Sequence, residues 1–215
     1  YFHCTSNNTI FGTQMKEFPT TNVPVVCDMS SDIFSRQLDF TKFDIIYAGA
    51  QKNMGPAGTT LVVIKEEILG KNGREIPSML DYAKHIKAES MYNTPPVFPV
   101  YASLLTLQWL KKLGGIAAIE KINNAKAELL YNEIDRNPLF KGAAAVEDRS
   151  NMNATFLLNN PEHAPIFDTM WKEAGISGLP GHRSVGGYRA SMYNAMPIES
   201  VQVLVDVMQA LEKAV

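Results

Sequence analysis

Two residues of this chain have the types and settings for imine chemistry. The run Phe43-Asp44-Ile45-Ile46-Tyr47-Ala48-Gly49-Ala50-Gln51-Lys52-Asn53 is an apolar, β-type segment that ends in small residues and then presents a lysine. An earlier run, Val23-Pro24-Val25-Val26-Cys27-Asp28, ends on an aspartate. Strands of this kind deliver side chains to the mouth of a sheet. A lysine amine there can condense with a carbonyl, and a carboxylate there can keep a ring nitrogen protonated so that the ring accepts electrons. Those are the needs of pyridoxal phosphate. Gly49 and Ala50 before Lys52, and Gly55, Pro56, Ala57 and Gly58 after it, leave room for a flat ligand against the backbone. Taken alone, Lys52 also reads as a solvated strand-end lysine and Asp28 as a turn cap. The pair is what favours a site.

A second cluster lies near the C-terminus. Gly181-His182-Arg183-Ser184-Val185-Gly186-Gly187-Tyr188-Arg189 puts two arginines and a histidine among three glycines. It reads either as a basic surface loop or as an anion pocket. Arginine forks suit carboxylate and phosphate, and two separate arginines suit a substrate with two anionic ends. Thr9 and the Asn93-Thr94 pair are polar residues expected on loops, ordinary turn residues when taken alone. His3, His85 and His163 have no ligand-like spacing, so no metal is expected. Cys4 and Cys27 form no disulfide framework and read as buried thiols. Trp109 and Trp171 lie on helical apolar stripes and are expected in the core.

The elements that must position these groups follow from periodicity. Residues 1–4 read as a strand end and Thr5–Thr9 as a polar loop. The runs 23–27, 43–48 and 58–64 read as buried strands, the last two antiparallel because so few residues separate them. Asn93-Thr94-Pro95-Pro96 is a stiff connector that cannot be helical. A helix is expected after Pro99, interrupted by Gly114-Gly115. A longer one carries Ile116, Ile119, Ile122, Leu129, Leu130 and Ile134 and ends at Asn137-Pro138. The remainder reads as a smaller α+β unit. Its strands are expected at 154–158 and 188–193, with one helix around Ile166–Trp171 and a final helix opened by Pro197. The expected division is 1–112 for a cofactor-binding domain and 113–215 for a small C-terminal domain.

At 215 residues the chain can bury a core of one or two domains. Its net charge is −2. No basic tract is long enough for a nucleic-acid patch, and no apolar run reaches the roughly 20 residues of a membrane span. No signal-peptide pattern opens it. These features point to a soluble, cytoplasmic α/β protein. The start, Tyr1-Phe2-His3-Cys4, reads like the inside of a protein, so a fragment with its N-terminal portion absent is expected.

With those residues in place a resemblance is specific. Ala48-Gly49-Ala50-Gln51-Lys52-Asn53-Met54-Gly55-Pro56-Ala57-Gly58 resembles the cofactor-lysine segment of the phosphoserine aminotransferase family. Asn93-Thr94-Pro95-Pro96, Gly181-His182-Arg183, Gly186-Gly187 with Arg189, and Tyr193-Asn194-Ala195-Met196-Pro197 match that family in the same order. The likeness runs over nearly the whole chain but covers only the C-terminal three-fifths or so of a family member. It implies the fold class of a PLP-dependent transferase (fold type I): an α/β chain made of the C-terminal part of the large domain and a small α+β domain. It implies amino transfer between glutamate and 3-phosphohydroxypyruvate, giving phosphoserine and 2-oxoglutarate in serine biosynthesis, by a homodimer using pyridoxal 5'-phosphate.

The resemblance also implies roles. Lys52 would form the Schiff base, and Asp28 would meet the pyridine nitrogen. Thr9 would bond the hydroxyl side of the ring, and Gln51 would sit beside the cofactor phosphate. Asn93 and Thr94 would reach the phosphate of the cofactor held mainly by the other subunit. His182 and Arg183 would meet the substrate phosphate and Arg189 its α-carboxylate. The family's glycine-containing phosphate loop, ring-stacking aromatic residue and further basic groups lie in its N-terminal part and have no counterpart here, so the chain by itself is expected to be inactive. Two rivals remain. One is another class V-type vitamin B6 enzyme, such as an alanine–glyoxylate aminotransferase or a cysteine desulfurase. The other is a non-catalytic fragment that only folds and dimerises.

Overall fold

The structure, a computed structural model, describes residues 1–71 and 73–215. In chain order the elements are β1 (Phe2–Thr5), β2 (Asn7–Asn8), β3 (Thr13–Gln14), β4 (Val25–Asp28), β5 (Ile45–Gly49), β6 (Thr60–Ile64), α1 (Tyr82–Lys87), α2 (Val97–Leu113), α3 (Gly115–Arg136), β7 (Phe140–Gly142), β8 (Asn153–Leu158), α4 (Ala164–Glu173), β9 (Tyr188–Ser191) and α5 (Ile198–Ala214). The chain is α/β, as expected.

The first sheet has the order β1-β4-β5-β6. β1, β4 and β5 run parallel and β6 antiparallel to β5. Alternation explains the packing. Val25 and Cys27 of β4 and Ile46 and Ala48 of β5 are buried against Met29, Ile33 and Phe43. All three parallel strands finish at one edge of the sheet, on Thr5, Asp28 and Gly49. Ligands of open α/β sheets gather beyond that edge. Here the segments 6–9, 29–36 and 50–55 lie there.

The second sheet, β7-β8-β9, is antiparallel, and α3, α4 and α5 share its core. Phe140, Phe156, Phe167 and Tyr188 meet mostly edge to face, with ring centroids 4.9–5.8 Å apart in the closest pairs. Gly114, at φ 111°, closes α2 and opens α3, a conformation that favours glycine. Asn137 ends α3 in extended backbone, as the following proline requires.

Three expectations need correction. α2 starts at Val97, not after Pro99, because a proline is tolerated in a helix's first turn. Trp109 is 40% exposed, whereas Trp171 is 5% exposed and in the core. α2 buries only Ser103 and Leu110, and its stripe of Phe98, Tyr101, Leu104, Leu105 and Trp109 is open. β9 stops at Ser191: the Met192 amide turns away to the Met152 carbonyl at 2.8 Å. The short hairpin β2–β3, β7 and α1 have too few residues to show a period.

Candidate active site

Lys52 stands on a tight turn after β5. Ala50, fully buried, is hydrogen-bonded to the Thr59 carbonyl at 2.9 Å, and its own carbonyl accepts from Met54 and Gly55 at 3.0 and 2.8 Å. Asn53 points inward and locks the turn. Its Nδ2 donates to the Ile33 carbonyl at 3.1 Å, and its Oδ1 accepts from the Asn194 amide at 3.0 Å. Lys52 therefore faces the opposite way, half-buried. Its Nζ donates to Thr9 Oγ1 at 2.7 Å and lies 5.9 Å from the centre of the Tyr193 ring.

Thr9 is held by the β2–β3 hairpin. Asn8 Oδ1 accepts from the amides of Ile10 and Phe11 at 3.0 and 3.1 Å, an Asx turn. Asn7 is buried beneath. Its Nδ2 donates to Ser31 Oγ and to Asn153 Oδ1, both at 2.9 Å. Asn153 donates in turn to Ser191 Oγ at 3.1 Å and to the Tyr193 hydroxyl at 3.2 Å. Buried amides thus tie the sheet edge, the hairpin and the β9 strand into one polar seam.

Asp28 closes β4, with Thr5 and Tyr47 as its register partners. One carboxylate oxygen accepts from the Ser30 amide at 2.8 Å, and Ser30 Oγ accepts from the Gly49 amide at 3.1 Å. Asp28 is thereby stitched to the turn that carries Lys52. Burial, and after it the charge of Asp28, pushes the Tyr47 hydroxyl above its ordinary pKa. The Tyr47 hydroxyl lies 3.0 Å from His3 Nε2. One strand end away, Asp32 is 1% exposed, hydrogen-bonded by Ser6, and paired with Arg36 at 3.2 Å. Burial raises its pKa despite these partners.

Arg189 is half-buried on β9 opposite Thr155. Its Nε is buried and has no hydrogen-bond partner among the described residues. It opens on a cavity of about 320 Å³ whose lining includes Leu179, Ser191, Tyr193 and Met196. Tyr193 thus borders both this cavity and Lys52. His182 and Arg183 sit on the neighbouring 181–187 loop, where His182 Nδ1 and Ser184 Oγ are 2.7 Å apart and Arg183 is exposed. Gly187, at φ 63°, draws the loop onto β8, where a Cβ would stand 2.7 Å from the Phe156 carbonyl. Gln51 is exposed, its amide folded against Gly49. Asn93 and Thr94 lie on the exposed connector before α2, where Asn93 Nδ2 donates to the Thr94 carbonyl at 3.2 Å. Among the described residues they make no hydrogen bond to the Lys52 group.

The structure therefore brings together Lys52, Thr9 and Asp28, and sets Arg189 beside them through Tyr193. Sequence reasoning gave no role to Tyr193, Asn7, Asn53 or Asn153. Tyr193 carried a signal, since it stands in a segment singled out above. The asparagines carried none, because a buried amide in a loop looks like any turn residue. Cys4 and Cys27 are both buried. Burial and then the nearby Cys4 push the Cys27 thiol well above its ordinary pKa.

The donor set fits pyridoxal phosphate. Among the described residues Lys52 donates to one neutral hydroxyl and Asp28 forms no ion pair, and Arg189 lines the neighbouring cavity. Comparison with known proteins agrees. The model of the family "Aminotransferase class-V" matches residues 1–204. The phosphoserine aminotransferase of Flavobacterium johnsoniae is 85% identical over the whole chain, which spans 60% of that protein's length. A solved phosphoserine aminotransferase from Bacillus circulans subsp. alkalophilus superposes with a TM-score of 0.95 at 44% identity, over 100% of this chain and 60% of the other. One from Trichomonas vaginalis, with PLP bound, gives 0.89 at 37% identity over 97% and 60%. The fold is that of the PLP-dependent transferases of fold type I. The chain belongs to the aminotransferase class-V family.

Proposed function

We propose that the protein of which this chain is part is a phosphoserine aminotransferase. It would move an amino group between glutamate and 3-phosphohydroxypyruvate, using pyridoxal 5'-phosphate, as a cytoplasmic homodimer in serine biosynthesis. The observation that carries this is the placement of Lys52 Nζ between the Thr9 hydroxyl at 2.7 Å and the Tyr193 ring at 5.9 Å, at the strand edge that also bears Asp28. The chain spans about 60% of the length of the curated relatives it matches, so the activity is assigned to the family-length protein.

When bound, the cofactor supplies an electron sink for the substrate's Cα–H bond. The chain's residues do the rest. Lys52 would hold the cofactor and then carry the proton from Cα to C4′, acting as base at the first carbon and as acid at the second. Asp28 keeps the pyridine nitrogen protonated through a charge-assisted hydrogen bond. Thr9 and Gln51 orient the ring's hydroxyl side and phosphate side. Arg189 binds the α-carboxylate, and His182 with Arg183 the substrate phosphate. Asn93 and Thr94 serve the partner subunit's cofactor phosphate, a role that their exposed connector supports. The open apolar stripe of Phe98, Tyr101, Leu104 and Leu105 supports a dimer in which α2 is covered. Two separate apolar clusters, one over residues 4–48 and one over 127–211, support the division into 1–112 and 113–215. Among the described residues no helix is long and apolar enough to cross a membrane.

The test is turnover of the family-length protein. With glutamate and 3-phosphohydroxypyruvate, 2-oxoglutarate should appear at a rate on the order of 1–10³ per second. Alanine with glyoxylate should give far less. The reverse preference would overturn the assignment.

A further inference from the structure

Lys126 is fully buried, at 0% exposure, and among the described residues no carboxylate pairs with it. It projects from the middle of α3. Its Nζ donates to three backbone carbonyls of one turn: Met192 at 3.0 Å, Tyr193 at 2.9 Å and Met196 at 3.0 Å. An ammonium group has three protons, and all three are spent here. Burial alone lowers its pKa to about 8. At neutral pH the group stays an ammonium. A buried cation without an anion is costly, so it persists only where its surroundings are arranged for it.

The turn it grips is the one that reaches Lys52. Tyr193 stands against the Lys52 amine and lines the Arg189 cavity. Asn194 donates its amide to Asn53, next to Lys52, and its side chain bonds to the Phe34 carbonyl and to Asn123. Asn123 lies one turn before Lys126 on α3, so the helix holds the turn at two places.

We propose that Lys126 is a positioning residue for amino transfer: from α3 it clamps the 192–196 turn and so fixes Tyr193 and Asn194 against the Lys52 segment. This rests on the reading of the site given under Proposed function. Arginine cannot replace it, because a planar fork cannot direct its protons at three carbonyls converging on one point.

The test uses Lys126→Met, which keeps the stem's bulk and removes the donors, with Lys126→Arg beside it. Backbone amide exchange and steady-state kinetics are both measured on the family-length enzyme. Exchange at Asn194 and Met196 should accelerate by roughly ten- to a hundred-fold in both variants, with β7 and β8 unchanged. The KM for the amino-acid substrate should rise by a similar factor, more than kcat falls. Unchanged exchange at the turn, or acceleration spread evenly over α3 and α5, overturns the clamp. Should neither variant fold, exchange in the unmodified enzyme between pH 7 and 9.5 decides. Turn-specific acceleration beyond the intrinsic pH dependence supports the clamp, and its absence overturns it. If the unmodified enzyme lacks transaminase activity while exchange behaves as expected, the functional reading fails and the clamp stands.

Discussion

Lys52 Nζ donates to the hydroxyl of Thr9, 43 residues earlier in the chain, at 2.7 Å. Two loops from opposite sides of β4 meet at this one amine. No other lysine of the chain is described with a single neutral partner at the C-terminal edge of the parallel strands. Lys16, Lys65 and Lys126 are each tied to other carbonyls or carboxylates. We expect Lys52 to be the only lysine that captures the cofactor. Borohydride reduction of the loaded family-length enzyme, followed by peptide mapping, should find the adduct on Lys52 alone. An adduct on another lysine refutes the site.

Asp28→Asn should harm turnover more than cofactor binding. The amide keeps the size of the side chain and can still accept from Ser30, so the strand end should survive. It cannot hold a ring nitrogen protonated. Loss of one charge-assisted hydrogen bond is worth about 1.5–3 kcal/mol, or roughly ten- to a hundred-fold in rate. Comparing kcat with the cofactor dissociation constant checks this. An unchanged kcat would remove Asp28 from the mechanism.

How far the sequence reached is clear at Lys52 and Asp28. Asp28 ends one β-branched, apolar run and Lys52 stands just past the end of another, and such runs announce buried parallel strands whatever surrounds them. The antiparallel β6 was readable because so few residues separate it from β5. Trp109 shows the limit. Its helical stripe was legible, but a stripe says only that some surface covers it, not that this chain does. The polar seam of Asn7, Asn53, Asn153 and Asn194 was not legible either. Its members are far apart in sequence, and a buried amide differs from a solvated one only through partners that the fold supplies.

The two arginines of the C-terminal cluster should separate by substrate. Arg189 is half-buried with an unpartnered Nε beside the Tyr193 cavity, whereas Arg183 is exposed on the loop outside. Arg189→Ala should weaken phosphorylated and unphosphorylated substrates alike, because both carry the α-carboxylate. Arg183→Ala should weaken only the phosphorylated one. The readout is KM for phosphoserine against that for an unphosphorylated analogue. An equal response to Arg183→Ala would take the phosphate away from Arg183.

Lys126 gives the molecule a pH dependence in which global stability and local order move in opposite directions. Its pKa in the fold is about 8, against 10.5 when unfolded. Below pH 8 both states hold the proton, and this group adds no slope. Between pH 8 and 10.5 the unfolded chain keeps a proton that the folded chain has released, so stability rises with pH. The fall from 10.5 to about 8 corresponds to on the order of 3 kcal/mol across that window. The neutral amine, however, has two protons for three carbonyls, so the 192–196 turn loses a hydrogen bond while the fold as a whole gains. Urea unfolding of the unmodified chain and of Lys126→Met at pH 7, 9 and 10.5 isolates the effect, because other titrating groups cancel in the difference. The stability of the unmodified chain relative to the variant should increase with pH, while amide exchange at Asn194, corrected for its intrinsic pH dependence, accelerates. A difference that stays flat from pH 7 to 10.5 would mean that Lys126 does not change charge in that range.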